Sequence, residues 1–156
     1  MEEGTVGDGA GVVQDSCLRF RIPSLPASMN AIYQIMFHLK QVQMKPEVRA
    51  WKTQAKQFVP KWTLPAKVET GFLYLKLVYH GDWFYKNGKA RRIDLPNLQK
   101  ITVDVIAEKL GFDDCMVWAV ELKKVQDAKD FVDCELGFIS DMACGTVDTN
   151  KGEGGV

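Results

Sequence analysis

Between Ile93 and Leu110 apolar residues fall on most sides of a helix, and this stretch limits the possible folds more than any other. With Pro96 at the helix start and about 100° per residue, Leu98, Ile101 and Val105 form one flank. Val103, Ile106, Ala107 and Leu110 cover much of the remainder. Such a helix has to be covered by other elements. Asn97, Lys100, Asp104 and Glu108 share its one polar stripe. That stripe must face a cleft, solvent or polar partners, because unpaired buried charge is costly. Gly111 supplies the expected stop.

The covering elements are legible on both sides. Leu18, Phe20 and Ile22 alternate with Arg19 and Arg21, the pattern of a half-buried strand ended by Pro23. Ala31 to Val42 reads either as a helix, through Ile32, Ile35, Met36 and Leu39, or as a hairpin. Pro46 to Val59 is an amphipathic helix, with Val48, Trp51, Ala55, Phe58 and Val59 on one side and Arg49, Lys52 and Lys56 on the rest. Phe72 to His80 reads as a central strand, and Val117 to Val125 and Phe131 to Ile139 as two more. Asn87-Gly88 marks a turn. The order predicts an α+β fold: a mixed sheet of about four strands packed with helices, in one domain.

With 156 residues the chain suits one domain, expected over residues 17–141. Residues 1–16 read as a flexible arm and 142–156 as a flexible tail. No apolar run approaches a membrane span, and acids stand where a signal peptide needs positive charge, so an intracellular location is expected. Cys17, Cys115, Cys134 and Cys144 lack the close spacing of a zinc site and are expected to be reduced and mostly buried. Formal net charge is zero, so nucleic-acid binding would need a local basic patch.

Gly81 to Arg92 contains such a patch. Lys86, Lys89, Arg91 and Arg92 stand against the single acid Asp82, beside Trp83, Phe84 and Tyr85. Cations grip phosphates, and aromatics can stack on exposed bases. Directly downstream, Asp94 precedes the buried helix and Asp113-Asp114 follows it. If the next strand folds back along the helix, Asp94, Asp114 and Asp104 can converge. Carboxylate oxygens brought together favour Mg²⁺, with Mn²⁺ as the alternative. Such a cation serves phosphodiester hydrolysis, and Lys100 can neutralise charge on the phosphate. The same spacing also allows purely structural roles. Asp94 can cap the helix, Asp113-Asp114 can be a turn, and Lys100 and Asp104 can pair with each other.

The ordered set closely resembles the RusA-like Holliday-junction resolvases. Their hallmark is a basic pair, then Asp-x-Asp-Asn-Leu-x-Lys, then an Asp three residues on in an Asp-Ala-Leu-like step, and an Asp-Asp pair before a strand. Here Arg91-Arg92, Asp94-Leu95-Pro96-Asn97-Leu98-Gln99-Lys100, Asp104 and Asp113-Asp114 follow that order. Leu18 to Ile22, Pro23-Ser24 and Asn30 echo the family's opening strand and loop. The resemblance implies a metal-dependent endonuclease that cuts branched DNA, acting as a homodimer on four-way junctions. It implies Asp94, Lys100 and Asp114 as catalytic residues, with Asp94 and Asp114 as metal ligands and Asn30 beside the basic loop at the DNA. Asp104, at a recurrent family position, or Asp113 is the candidate for a further metal ligand. The family's second acid is replaced by Pro96, which has no side-chain oxygen. A junction-binding protein that cuts weakly or not at all is therefore the runner-up. A protein-interaction module is the third class, left open by the zero net charge.

Overall fold

The strand expected around FLYLKLVYH runs from Leu73 to Gly81 (β5), with Leu73, Leu75, Leu77 and Tyr79 buried on one face. Tyr74, Lys76, Val78 and His80 point to the other face and are half-buried. This computed structural model describes residues 13–14, 17–26, 33–63 and 73–139. Among them a five-stranded sheet has the order β1-β2-β7-β5-β6, where β1 is Val13–Gln14, β2 Cys17–Ile22, β6 Val117–Gln126 and β7 Phe131–Phe138. β5 runs parallel to β6 and antiparallel to β7, so the sheet is mixed as expected. Neighbouring parallel strands need a long crossover. Here it is the basic loop followed by helix α2, Leu95–Leu110.

Val13–Gln14 belongs to the stretch read from sequence as an arm, yet it pairs with Cys17 and Leu18. Its neighbours 1–12, the tail from residue 140 and Asn30 lie outside the described residues. The ambiguous Ala31–Val42 stretch contains a hairpin. β3 (Tyr33–Met36) pairs with β4 (Gln41–Met44) in a separate two-stranded sheet. The first basic helix, α1, spans Pro46–Ala55 and continues as a tighter turn over Lys56–Phe58. Val59 is already extended (ψ 115°), as a residue preceding proline prefers.

One core joins the layers. Val48, Trp51 and Ala55 of α1 and Leu98, Ile101, Val105 and Ile106 of α2 pack with Leu18, Ile22, Leu75, Leu77, Val132 and Leu136 of the sheet. Thr102 is the buried polar residue of α2. It accepts from Tyr79 Oη at 3.0 Å and donates to the Leu98 carbonyl at 2.9 Å. The opposite sheet face carries cross-strand pairs: Arg19 with Glu135 at 2.9 Å, and Arg21 with Asp133 at 2.7 and 3.1 Å. Both helices thus cover a single sheet face, which makes the fold α+β. Among the described residues no helix is long and apolar enough to cross a membrane. Cys17 and Cys134 are buried free thiols, whereas Cys115 is exposed.

Candidate active site

The polar stripe of α2 opens onto a cleft against β6. Pro96, Gln99, Lys100, Val103 and Asp104 line it from the helix, and Val117 and Val120 from the strand. Asp114 lines it from the short turn Asp114–Met116 that joins the two. The cavity measures about 340 Å³. The strand after α2 does fold back along it, which brings Lys100, Asp104 and Asp114 to one space. Pro96, at the second position of the helix, forms part of the wall.

Asp94 and Asp113 stand apart from that lining. Asp94 holds the N-cap position with extended backbone (φ −86°, ψ 132°). Its side chain makes no capping hydrogen bond, so the capping role open to it in sequence is carried by the backbone alone. The Asp94 carbonyl accepts from the N–H groups of Asn97 and Leu98. Asp113 Oδ1 accepts from the Cys115 N–H at 3.1 Å and so caps the following turn. That N–H, with the Asp114 side chain, holds the Asp113 carboxyl below its usual value. Among the described residues no group of three or more His, Cys, Asp or Glu side chains is arranged to hold a metal ion.

The charges around the cleft are unequal. Burial pushes the Asp104 carboxyl above its ordinary value, and the nearby Glu108 and Asp114 charges push the same way. Lys52 and Lys100 oppose them. Lys52 belongs to α1, outside the segment that carries the sequence motif. It retains only 12% side-chain exposure and donates to Glu108 Oε1 at 2.7 Å, while Lys56 approaches Glu108 Oε2 at 2.5 Å. The stripe read as continuous is therefore divided: Lys100 and Asp104 face the cleft, and Glu108 binds α1. Sequence reasoning placed Lys52 on the remaining surface of its helix and gave it no partner, since no local pattern states which helix a lysine will meet.

The basic loop is a small hairpin. Phe84 and Ala90 bridge, Tyr85 N–H donates to the Lys89 carbonyl at 2.8 Å, and Gly88 takes the left-handed conformation (φ 79°) that the turn requires. Lys86, Lys89 and Arg92 are exposed. Arg91 is bound within the loop. Its Nε donates to the Phe84 carbonyl at 3.3 Å, Nη2 lies 3.5 Å from Asp82, and the guanidinium stands 5.5 Å from the Tyr85 ring centre. Trp83 is a core residue whose Nε1 donates to the Val125 carbonyl at 2.8 Å. Lys124 stands over the Trp83 ring and bonds the Ile93 carbonyl, so the loop is moored to β6 just ahead of α2. Phe84 and Tyr85 remain exposed.

A cleft bearing two carboxylates and a lysine, carried on a mixed α+β sheet beside a basic hairpin, is the equipment of a nuclease. The family model Endodeoxyribonuclease RusA matches residues 26–135, more than two thirds of the chain, and the chain belongs to that family. Its members are endonucleases that resolve Holliday junctions, hydrolases of DNA recombination that generally depend on a divalent metal. The matched residues include α1, β5, the basic hairpin, α2 and β6, and with them Asp94, Asp104, Asp113 and Asp114. No curated protein matches the chain.

Proposed function

We propose that the α2–β6 cleft hydrolyses a phosphodiester of branched DNA with the help of Mg²⁺, which Mn²⁺ can replace. The observation that carries this reading is the meeting of Lys100, Asp104 and Asp114 in one cavity whose wall contains Pro96. Magnesium is commonly held by one or two carboxylates, with water and substrate phosphate completing its shell. A cleft with two carboxylates fits that habit. Asp104 and Asp114 would hold the ion, with Asp94 and Asp113 at the two ends of α2 as outer ligands. When bound, the ion supplies positive charge that activates water and stabilises the leaving oxygen. Lys100 neutralises charge gathering on the phosphate. Its partial burial makes Asp104 a poor bare anion, so ligation relieves a cost already present in the fold.

Lys86, Lys89 and Arg92 grip the DNA backbone next to the cleft, while Arg91 shapes the loop that presents them. Asn30 belongs to the same contact set. A junction is recognised chiefly by phosphate positions, so few base contacts are needed. Two symmetric cuts in a four-way junction require two sites related by a two-fold axis, which a homodimer provides. The second reading, junction binding with little or no cutting, is favoured by Pro96 alone, because it puts no carboxylate at a point of the wall where the family resemblance implies one.

The test is cleavage of a four-way junction and a matched duplex with Mg²⁺ or Mn²⁺, alongside junction binding in EDTA. Junction-selective cleavage that Asp104→Asn and Asp114→Asn abolish, with binding retained, is the expected result. Binding without cleavage supports the second reading. Cleavage untouched by both substitutions places the chemistry elsewhere, and absence of junction binding returns the protein to the interaction-module class.

A further inference from the structure

We infer that the α1 flank formed by Arg49, Lys52 and Lys56 is a second DNA-backbone contact, which continues the path of the strand leaving the cleft. The inference rests on the junction-binding reading above.

Arg49 and Lys52 of α1 and Lys56, the residue that follows it with helical backbone, recur at intervals of three and four residues, which places them on one side within about 60° of one another. Val48, Trp51 and Ala55 form a separate, buried side. The basic side turns toward α2, because Lys52 and Lys56 both reach Glu108. Glu108 lies four residues, one helical turn, beyond Asp104, which lines the cleft. Lys100, Asp104, Glu108 with its two lysines, and Arg49 thus form a row from the cleft across both helices.

The charges in that row are unequal. A single carboxylate is shared by two ammonium groups, so the pairing leaves positive charge over. The two lysines are held in position by Glu108, whereas Arg49 is exposed and has no side-chain partner among the described residues. An arginine fixed on a helix beside two oriented lysines suits a polyanion of regular spacing. From Arg49 to Lys56 the helix rises about 10 Å, comparable with about three successive phosphates of one strand. The zero net charge of the whole chain makes this local excess a distinct feature of the surface. The partner is the phosphate backbone of a junction arm. It is separate from the strand gripped by Lys86, Lys89 and Arg92, which approach from the N-terminal end of α2.

The test measures four-way-junction binding against salt, in EDTA so that cleavage plays no part. It compares the wild type with Arg49→Ala, Arg49→Glu and Arg49→Lys, with Arg92→Ala for comparison. Arg49→Ala should weaken binding several-fold and lower the slope of log K against log salt by about one unit. Arg49→Glu should weaken it further, and Arg49→Lys should restore it. Thermal unfolding should stay unchanged throughout, since the side chain has nothing to lose in the fold. If Arg49→Glu leaves affinity and slope unaltered while Arg92→Ala reduces both, the flank is no DNA contact and this inference is overturned by itself. If the wild type binds no junction at all, the functional reading falls and carries this one with it.

Discussion

Pro96 occupies the second position of α2 and a place in the cleft wall, at the point of the motif where the family resemblance implies an acid. The first turn of α2 contains no acidic residue. An aspartate there would meet the positive end of the helix dipole, worth about 0.3–1 kcal/mol. Pro96→Asp should therefore fold with an unchanged or higher Tm. It would place a third carboxylate at a cleft already lined by Asp104 and Asp114, and so tighten cation binding. The expected outcome is faster junction cleavage at a lower Mg²⁺ requirement. Identical rate and metal dependence in an already efficient enzyme would mean that the wild-type site lacks nothing. Asp94 differs in what it can cost. Because its side chain makes no capping bond, Asp94→Asn should change stability by less than about 0.5 kcal/mol while lowering cleavage. A loss of a full capping contribution in thermal melts would contradict that.

At the scale of elements, α2 carries the site, and within its apolar packing on the sheet one buried polar contact joins it to β5. Tyr79 donates to Thr102, and Thr102 donates to Leu98 within its own helix. The two truncations are therefore unequal. Tyr79→Phe removes one donor and leaves the Thr102 hydroxyl bonded to Leu98, at a cost of about 1 kcal/mol. Thr102→Val strands the buried Tyr79 hydroxyl and should cost about 1–3 kcal/mol. Equal losses in urea unfolding would show that water reaches the pair. The α1–α2 tie responds to pH. Lys52 first, then Lys56, holds the Glu108 carboxyl below its ordinary value. A lowered folded pKa means that the tie is fully present above the usual glutamate pKa, about 4.3, and is lost as pH falls through the folded value. On acidification below that point the wild type should lose more stability than Glu108→Gln. The difference should shrink in high salt, since the pair is partly exposed. Parallel losses in both proteins would remove this tie from the acid response.

For the whole molecule, the expected assembly is a homodimer that presents two clefts to one junction. Sedimentation should report twice the 17.6 kDa chain mass, and a symmetric junction should be nicked in both opposing strands. A monomer that cuts one strand only would rule that assembly out. Much of the single chain was readable beforehand, because period-two alternation and helical spacing are local. Strands β2, β5, β6 and β7, both helices and the Asn87-Gly88 turn follow from neighbours within a few residues. The hairpin at 33–44 stayed undecided because its apolar residues satisfy both periods. The two-residue β1 was missed, for it carries no pattern of its own and exists only through its pairing with β2. At the site, residue types and order were local properties too: acids flanking a helix, a lysine and an aspartate on its stripe, cations ahead of it. Which of them meet was not. Asp104 and Asp114 share the cleft because β6 returns parallel to β5 beneath α2. Glu108 is taken by lysines of another helix, Arg91 by its own loop, and Asp113 by a turn. Such choices depend on distances between segments far apart in the chain, which only the packing of α1, α2 and the sheet into one core sets.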